Sequence, residues 1–444
     1  MKLARTVTIC IALLMVFSLQ AGAQSAPAQA FKNVTIHTNG NTIESGTIVW
    51  RNGVITAIGE EVSIPFDAYV RDGGDSLHVY PGFIDGMALW GSPEPKEYDE
   101  APDEPGNPTY ERAGIQPFRH PASLLEVKDK SLVKAQKHGF TTAALGLKGQ
   151  MLPGQIDLFF INGEKTQNYI LDRGIGVLAQ FEGAQGAAYP STLMGVMAQY
   201  RQLFYDAKAQ MQQQVYFASV GGSYPAPDHE RVLEALYPVM KQQQPFYFVV
   251  NSDENIERLF TLQDELGFDV ILVSGKEAYK KADELKERNI PVLVSIDLPE
   301  KPEWKTDDKE DENLTDEKEH FRKRQMEAYK ADVTNIKKLL EAGVKVGYAS
   351  NGLKLSKLHE NISTLLDEGG LSEDQILKLF TKSTADILGY GQKMGDLKKG
   401  HIASFSVFTK PFIEKDTSVL YSVSNGEVME FEPESSKKSG DKDE

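Results

Sequence analysis

Cysteine is almost missing from this sequence: Cys10 is the only one in 444 residues. That excludes a disulfide framework and a cysteine-ligated metal site, so stability must come from a hydrophobic core, which a chain of this length can build. Histidine is sparse too. The eight are His37, His78, His120, His138, His229, His320, His359 and His401. No two share the His-x-His or His-x-x-x-His spacing that would bring both imidazoles to one metal. Positive charge is in deficit, with 48 Lys and Arg against 64 Asp and Glu and a net charge of −16. A nucleic-acid partner would meet repulsion, and that class is set aside. The sequence also lacks a Gly-x-Ser-x-Gly nucleophile elbow, a phosphate loop and a dinucleotide fingerprint.

The apolar run Ile9 to Leu19 follows Lys2 and Arg5 and precedes Ala21-Gly22-Ala23. It falls well short of the ~20 residues that span a bilayer as a helix. The pattern is that of a secretory signal peptide over residues 1–23. It predicts a periplasmic or extracellular protein with no integral membrane span after cleavage, and with Cys10 removed.

From residue 31 to 80 the chain reads as short strands, among them Val34 to Ile36, Thr47 to Trp50 and Val54 to Ile58, with Asn39-Gly40 and Asn52-Gly53 as turn signals. From about 120 to 390, short apolar runs alternate with amphipathic stretches. The runs are Thr141 to Leu145, Ile156 to Ile161, Gly176 to Gln180, Phe246 to Asn251, Asp269 to Val273, Pro291 to Ile296 and Val344 to Ala349. Helices are expected over Ser191–Met211, Arg231–Lys241 with Asp228 as its cap, Asn255–Leu266 and Lys276–Arg288, and a capping box opens another at Ser372 to Gln375. This alternation predicts an α/β fold, a (β/α)8 TIM-like barrel over residues 81–394. Strands return at Ser404 to Phe408, Val419 to Val423 and Val428 to Phe431. Strands at both chain ends predict one composite β-module, from residues 31–80 and 395–431, that the barrel interrupts. Residues 432–444 are polar and charged and read as a disordered tail. Residues 299–330, with the run Asp307 to Glu312, form a charged insertion, either a lid over the barrel mouth or a solvated loop.

Tyr80-Pro81-Gly82-Phe83-Ile84-Asp85, Gly139-Phe140-Thr141-Thr142, Ala342 to Val346 and the closing stretch Thr381 to Gly400 together resemble the amidohydrolase superfamily, in particular its imidazolonepropionase-like branch. The resemblance covers about residues 31–431. It implies a (β/α)8 barrel with a small β-sandwich, and one or two divalent metals, commonly zinc, at the barrel mouth. It also implies the ligands: paired His after the first strand, single His after the fifth and sixth, Asp after the eighth, and in some members a carboxylated Lys after the fourth. Here the paired-His positions hold Met87 and Leu89, the strand-five position Asn251, the strand-six position Ser274 and the strand-eight position Asn351. No Lys lies between Lys208 and Lys241, and no His between His229 and His320.

Zinc takes nitrogen, thiolate or carboxylate donors at ~2.0–2.3 Å, and these positions offer a thioether, an alkyl group, two amides and a hydroxyl. A metal lowers the pKa of bound water by roughly nine units, on the order of 12 kcal/mol toward hydroxide. A positioned general base supplies roughly 3–5 kcal/mol. A leftover carboxylate does not replace such an ion. The expectation is therefore no metal and no cofactor, and a degenerate homologue that binds or scaffolds. Its partners would be a small-molecule ligand, a second copy, or an active relative. The alternative is a working hydrolase of C–N bonds with a relocated site. For that site, Arg119 and His120 stand out, in the long segment after the first barrel strand, as candidate ligand-binding residues.

Overall fold

The computed structural model describes residues 26–432, apart from 127–128, 164, 221–225, 227 and 305–315. The expected signal peptide, most of the expected tail and the Asp307 to Glu312 run lie outside the described residues.

Eight strands from both chain ends form one sheet. They are β1 (Gln29–His37), β2 (Thr42–Arg51), β3 (Val54–Gly59), β4 (Tyr69–Asp72) and β5 (His78–Pro81), then β14 (Phe405–Phe408), β15 (Val419–Ser424) and β16 (Glu427–Glu430). The order is β16-β15-β14-β5-β1-β2-β3, with β4 also on β1. β1 serves two partners on one edge: Gln29 to Lys32 pair with β4, whereas Thr35 and Ile36 pair with β5. Between them Asn33 adopts φ 54°, and the register against β2 shifts there. A bulge of this kind bends a strand and lets one sheet wrap its own core. The strands of the composite module are hydrogen-bonded into one continuous sheet that folds over its own core. Its core stacks Phe31 on Trp50 at 5.8 Å, with Phe405 edge-on to Trp50 at 5.1 Å. The Asn52-Gly53 and Asn425-Gly426 turns meet back to back. A Cβ on Gly426 (φ 83°) would sit 2.7 Å from the Gly53 Cα, so glycine is required by space as well as by conformation.

The barrel holds β6 (Phe83–Ala88), β7 (Phe140–Leu145), β8 (Gly154–Phe160), β9 (Ile170–Gln180), β10 (Phe246–Val250), β11 (Val270–Ser274), β12 (Val292–Val294) and β13 (Val346–Tyr348), neighbours in chain order. Closure runs through Asn351, whose N–H donates to the Met87 carbonyl at 3.1 Å. The expected all-parallel arrangement needs one correction: β8 is antiparallel to both β7 and β9. Only residues 146–153 and 161–169 connect these strands. That is too short for a helical crossover, which takes a dozen or more residues. The other neighbouring pairs within the barrel sheet are parallel.

Side chains fill the barrel. Ile84, Met87, Ile156, Leu158, Phe160, Leu178, Tyr247, Ile271, Val273 and Leu293 form its inner cluster, a packed core and not a pore. Around it lie helices such as Leu193–Val220 and Asp253–Leu266. The helix expected over 231–241 is two short ones, Arg231–Glu234 and Tyr237–Met240, because Pro238 enters its middle. Glu230, not Asp228, caps the first of them, accepting from the Val232 N–H. The capping box at Ser372 and Gln375 is present. Within the charged insertion, Asp316–Val333 is a largely exposed helix that buries Tyr329 and Val333. Among the described residues, no helix is long and apolar enough to cross a membrane.

Candidate functional site

The C-terminal ends of the parallel strands deliver the site. Ser274 ends β11, and Asn251, Ser295 and Asn351 lie just beyond β10, β12 and β13. Together they line a crater of about 400 Å³ with Lys276, Asp297, Lys354 and Lys357. Two of these residues hold left-handed backbone, Ser274 at φ 77° and Asn351 at φ 40°. Asn tolerates that region; a serine there, 2% exposed, is held by its surroundings against its own preference. The hold is visible in the ladder: the Ser274 carbonyl accepts from Ser295 N–H at 3.1 Å, and Gly275 N–H donates to Val250 at 2.8 Å.

The crater is cationic. The Lys276 Nζ lies 3.0 Å from Asp297, and Lys357 lies 4.0 Å from Glu300. Lys354 makes no ion pair among the described residues. None of these lysines occupies a family ligand position, and sequence reasoning passed over them because isolated surface lysines carry no motif.

Of the five positions that the resemblance assigns to ligands, the structure brings together three, Asn251, Ser274 and Asn351. Met87 (1% exposed) and Leu89 are not among the crater's lining residues; they pack in the apolar filling of the barrel. Beside them Asp85, fully buried, spans the seam between first and last strands. It accepts from Met87 N–H at 3.1 Å and from Ser350 N–H at 3.0 Å. Burial pushes its carboxyl up to about 7, against the pull of these donors.

Arg119 and His120 do not join the crater. His120 Nδ1 pairs with the fully buried Asp157 at 2.9 Å, and Asp157 also accepts from the Ala122 and Gly174 N–H groups. Asp157 lies on β8 between Ile156 and Leu158, which face the inner core, so it points outward. The pair anchors the 116–122 segment to β8, reinforced by Gln155 N–H donating to the Arg119 carbonyl at 2.7 Å. The Arg119 guanidinium bonds Gln116 and lines a separate cleft with Lys148 and Gln150.

A divalent metal does not fit the crater's donors. Its lining offers amides, hydroxyls and three ammonium groups, and its one carboxylate, Asp297, is paired with Lys276. Asp85 is already committed to backbone donors. Among the described residues, Asp253, Glu254 and Glu277 bring three carboxylates within 4.8 Å of one another on the rim. Lys280 already holds two of them, at 3.3 Å from Asp253 and 2.9 Å from Glu277. Asp253 and Glu254 also open a helix, where acids offset the positive end of its dipole.

A family model described as "Amidohydrolase family" matches residues 273–429. Among solved structures, an amidohydrolase from Thermotoga maritima MSB8 superposes with a TM-score of 0.72 at 20% identity, covering 90% of this chain and 99% of the other. A prolidase solved with N-methylphosphonate-L-proline gives 0.51 at 12% identity, covering 91% and 100%. A further amidohydrolase gives 0.50 at 14%, covering 92% and 100%. No curated protein matches the chain. The matched segment starts within β11 and takes in the crater residues Ser274 and Asn351, and the fold shared with these solved structures extends over about nine-tenths of the chain.

Proposed function

We propose that this protein is an exported, metal-free member of the amidohydrolase superfamily that binds a small molecule at the barrel mouth instead of hydrolysing it. The observation that carries the reading is the crater itself. Asn251, Ser274 and Asn351 converge there with Lys276, Lys354 and Lys357, and no imidazole or thiolate is among the lining residues. Such a surface donates hydrogen bonds and positive charge, and it supplies no group that would generate hydroxide at neutral pH. A role beside a catalytically active relative, or as a homodimer, is compatible with the same surface.

The test is metal content. Mature protein dialysed free of loose ions should carry well under one zinc, manganese or iron per chain. Chelation should change neither its melting temperature nor any ligand binding. Near-stoichiometric metal, with C–N bond hydrolysis abolished by chelation, would establish the opposing reading of an active hydrolase. Restoring the first pair alone, as Met87→His with Leu89→His, should give no turnover, because the later strands still lack their ligands. For export, N-terminal sequencing of the secreted chain should begin at Gln24.

A further inference from the structure

A second cavity, of about 560 Å³, lies where the helix Lys130–Lys137 meets the β-module, and it shares no lining residue with the crater. Lys130, Lys134, Lys137, Lys415, His138 and His359 converge on it. The single acid in its lining is Glu432, and Val419 and Phe431 supply an apolar wall. In a chain with 64 acids and 48 basic residues, a gathering of cations needs a cause. None of the four lysines makes an ion pair among the described residues. Elsewhere lysines such as Lys276, Lys280, Lys281, Lys301, Lys378 and Lys382 do sit against carboxylates.

Helix electrostatics explain only part of the cluster. Lys134 and Lys137 occupy the last turn, where the dipole favours cations, but Lys130 occupies the first, where it does not. Lys130 and Lys134 are also a like-charged i,i+4 pair, which disfavours the helix. Lys415 arrives from the β14–β15 connection, so two distant segments place the same charge in one cleft. His138 and His359 come ring to ring at 6.3 Å between centroids.

We propose that this cleft binds a multivalent organic phosphate, its phosphates against the lysines and its carbon portion against Val419 and Phe431. The donor chemistry selects the class. There is no guanidinium in the lining to grip a carboxylate in two parallel bonds, whereas ammonium groups act on phosphate as point charges. An anion of several charges relieves the mutual repulsion that the folded chain otherwise holds.

Calorimetric titration of the full mature chain with inorganic tripolyphosphate at low salt tests this. Saturable binding of one anion per chain is expected, weakening as salt rises. Lys134→Glu and Lys415→Glu should each weaken it at least tenfold, and Lys399→Glu, outside the cavity's lining, should not. Lys134→Ala should lose affinity while its melting temperature stays level or rises, which separates lost binding from lost folding. Absence of saturable binding, or binding indifferent to both reversals, would overturn the proposal. Sedimentation with phosphatidylglycerol–phosphatidylcholine vesicles distinguishes the source. Vesicle binding displaced by tripolyphosphate assigns a lipid headgroup, and tripolyphosphate binding without sedimentation assigns a soluble metabolite. The two sites being separate, a metal found at the mouth leaves this result standing, and failure here leaves the mouth reading untouched.

Discussion

Asp85 is the residue whose chemistry is most changed by folding. Its carboxyl is buried against the first and last barrel strands and is raised to about 7, chiefly by desolvation. A carboxyl with a raised folded-state pKa favours folding at low pH, and that contribution is lost as pH climbs toward 7. Between about pH 4 and pH 7 the loss amounts to up to about 4 kcal/mol. Asp85→Asn keeps one oxygen for both N–H donors and cannot ionise. Denaturant titrations across this range should therefore show wild-type stability falling relative to the variant; parallel pH curves would refute the account. Ser274 carries a different strain. At φ 77° a side chain costs roughly 1–2 kcal/mol that glycine does not. Ser274→Gly should stabilise the fold by about 1 kcal/mol, less what glycine adds in unfolded-state entropy. It should also weaken ligand binding at the mouth through loss of the hydroxyl, a split that equilibrium unfolding and calorimetry together would detect.

At the scale of elements, β1 and β5 bring His37 and His78 together, Nε2 to Nδ1 at 3.0 Å, with His37 stacked on Tyr80 at 4.2 Å. One ring must donate and the other accept, so this bond requires at least one neutral imidazole. Burial, then the neighbouring His78, lower His37 to about 4. Here the sign is the reverse of Asp85. The contribution is present above about pH 6.5 and is lost as pH falls toward 4. His37→Phe, which keeps the stack on Tyr80 and removes the titration, should flatten the acid limb of the stability profile, and NMR titration of the imidazoles should find His37 neutral at pH 5.5. Neither ring was singled out from the sequence, because the two lie 41 positions apart and only strand pairing joins them. β8 teaches a related lesson. Its apolar run was readable, and its direction was written in the brevity of the two flanking connections, which an expectation of eightfold strand–helix alternation hid.

Across the whole molecule, the β-module and the barrel are fastened by packing. Phe408, Phe412 and Val419 belong to the same apolar cluster as Phe83 and Phe140. Two buried hydroxyls add to this: Ser406 donates to the Gly139 carbonyl at 3.0 Å and Ser424 to that of Thr141 at 2.8 Å. The module and barrel should therefore melt together. Trp50→Ala, which empties the module's core, should cost about 3–5 kcal/mol and lower the melting point of a single calorimetric transition. A separate low-temperature transition in that variant would show that the module unfolds alone.

The alternation of strands and helices through the barrel and the return of the chain to strands after it could be read from the residues alone. Hydrophobic period and turn chemistry are local. Only the tertiary structure decided that Asn251, Ser274 and Asn351 share a crater while Met87 and Leu89 pack in the barrel's inner cluster, that His120 is spent on Asp157, and that four lysines from two distant segments face one cleft. These are convergences of residues far apart in sequence. They depend on strand register, on the direction of β8 and on closure at Asp85, and side-chain identity carries none of that information by itself.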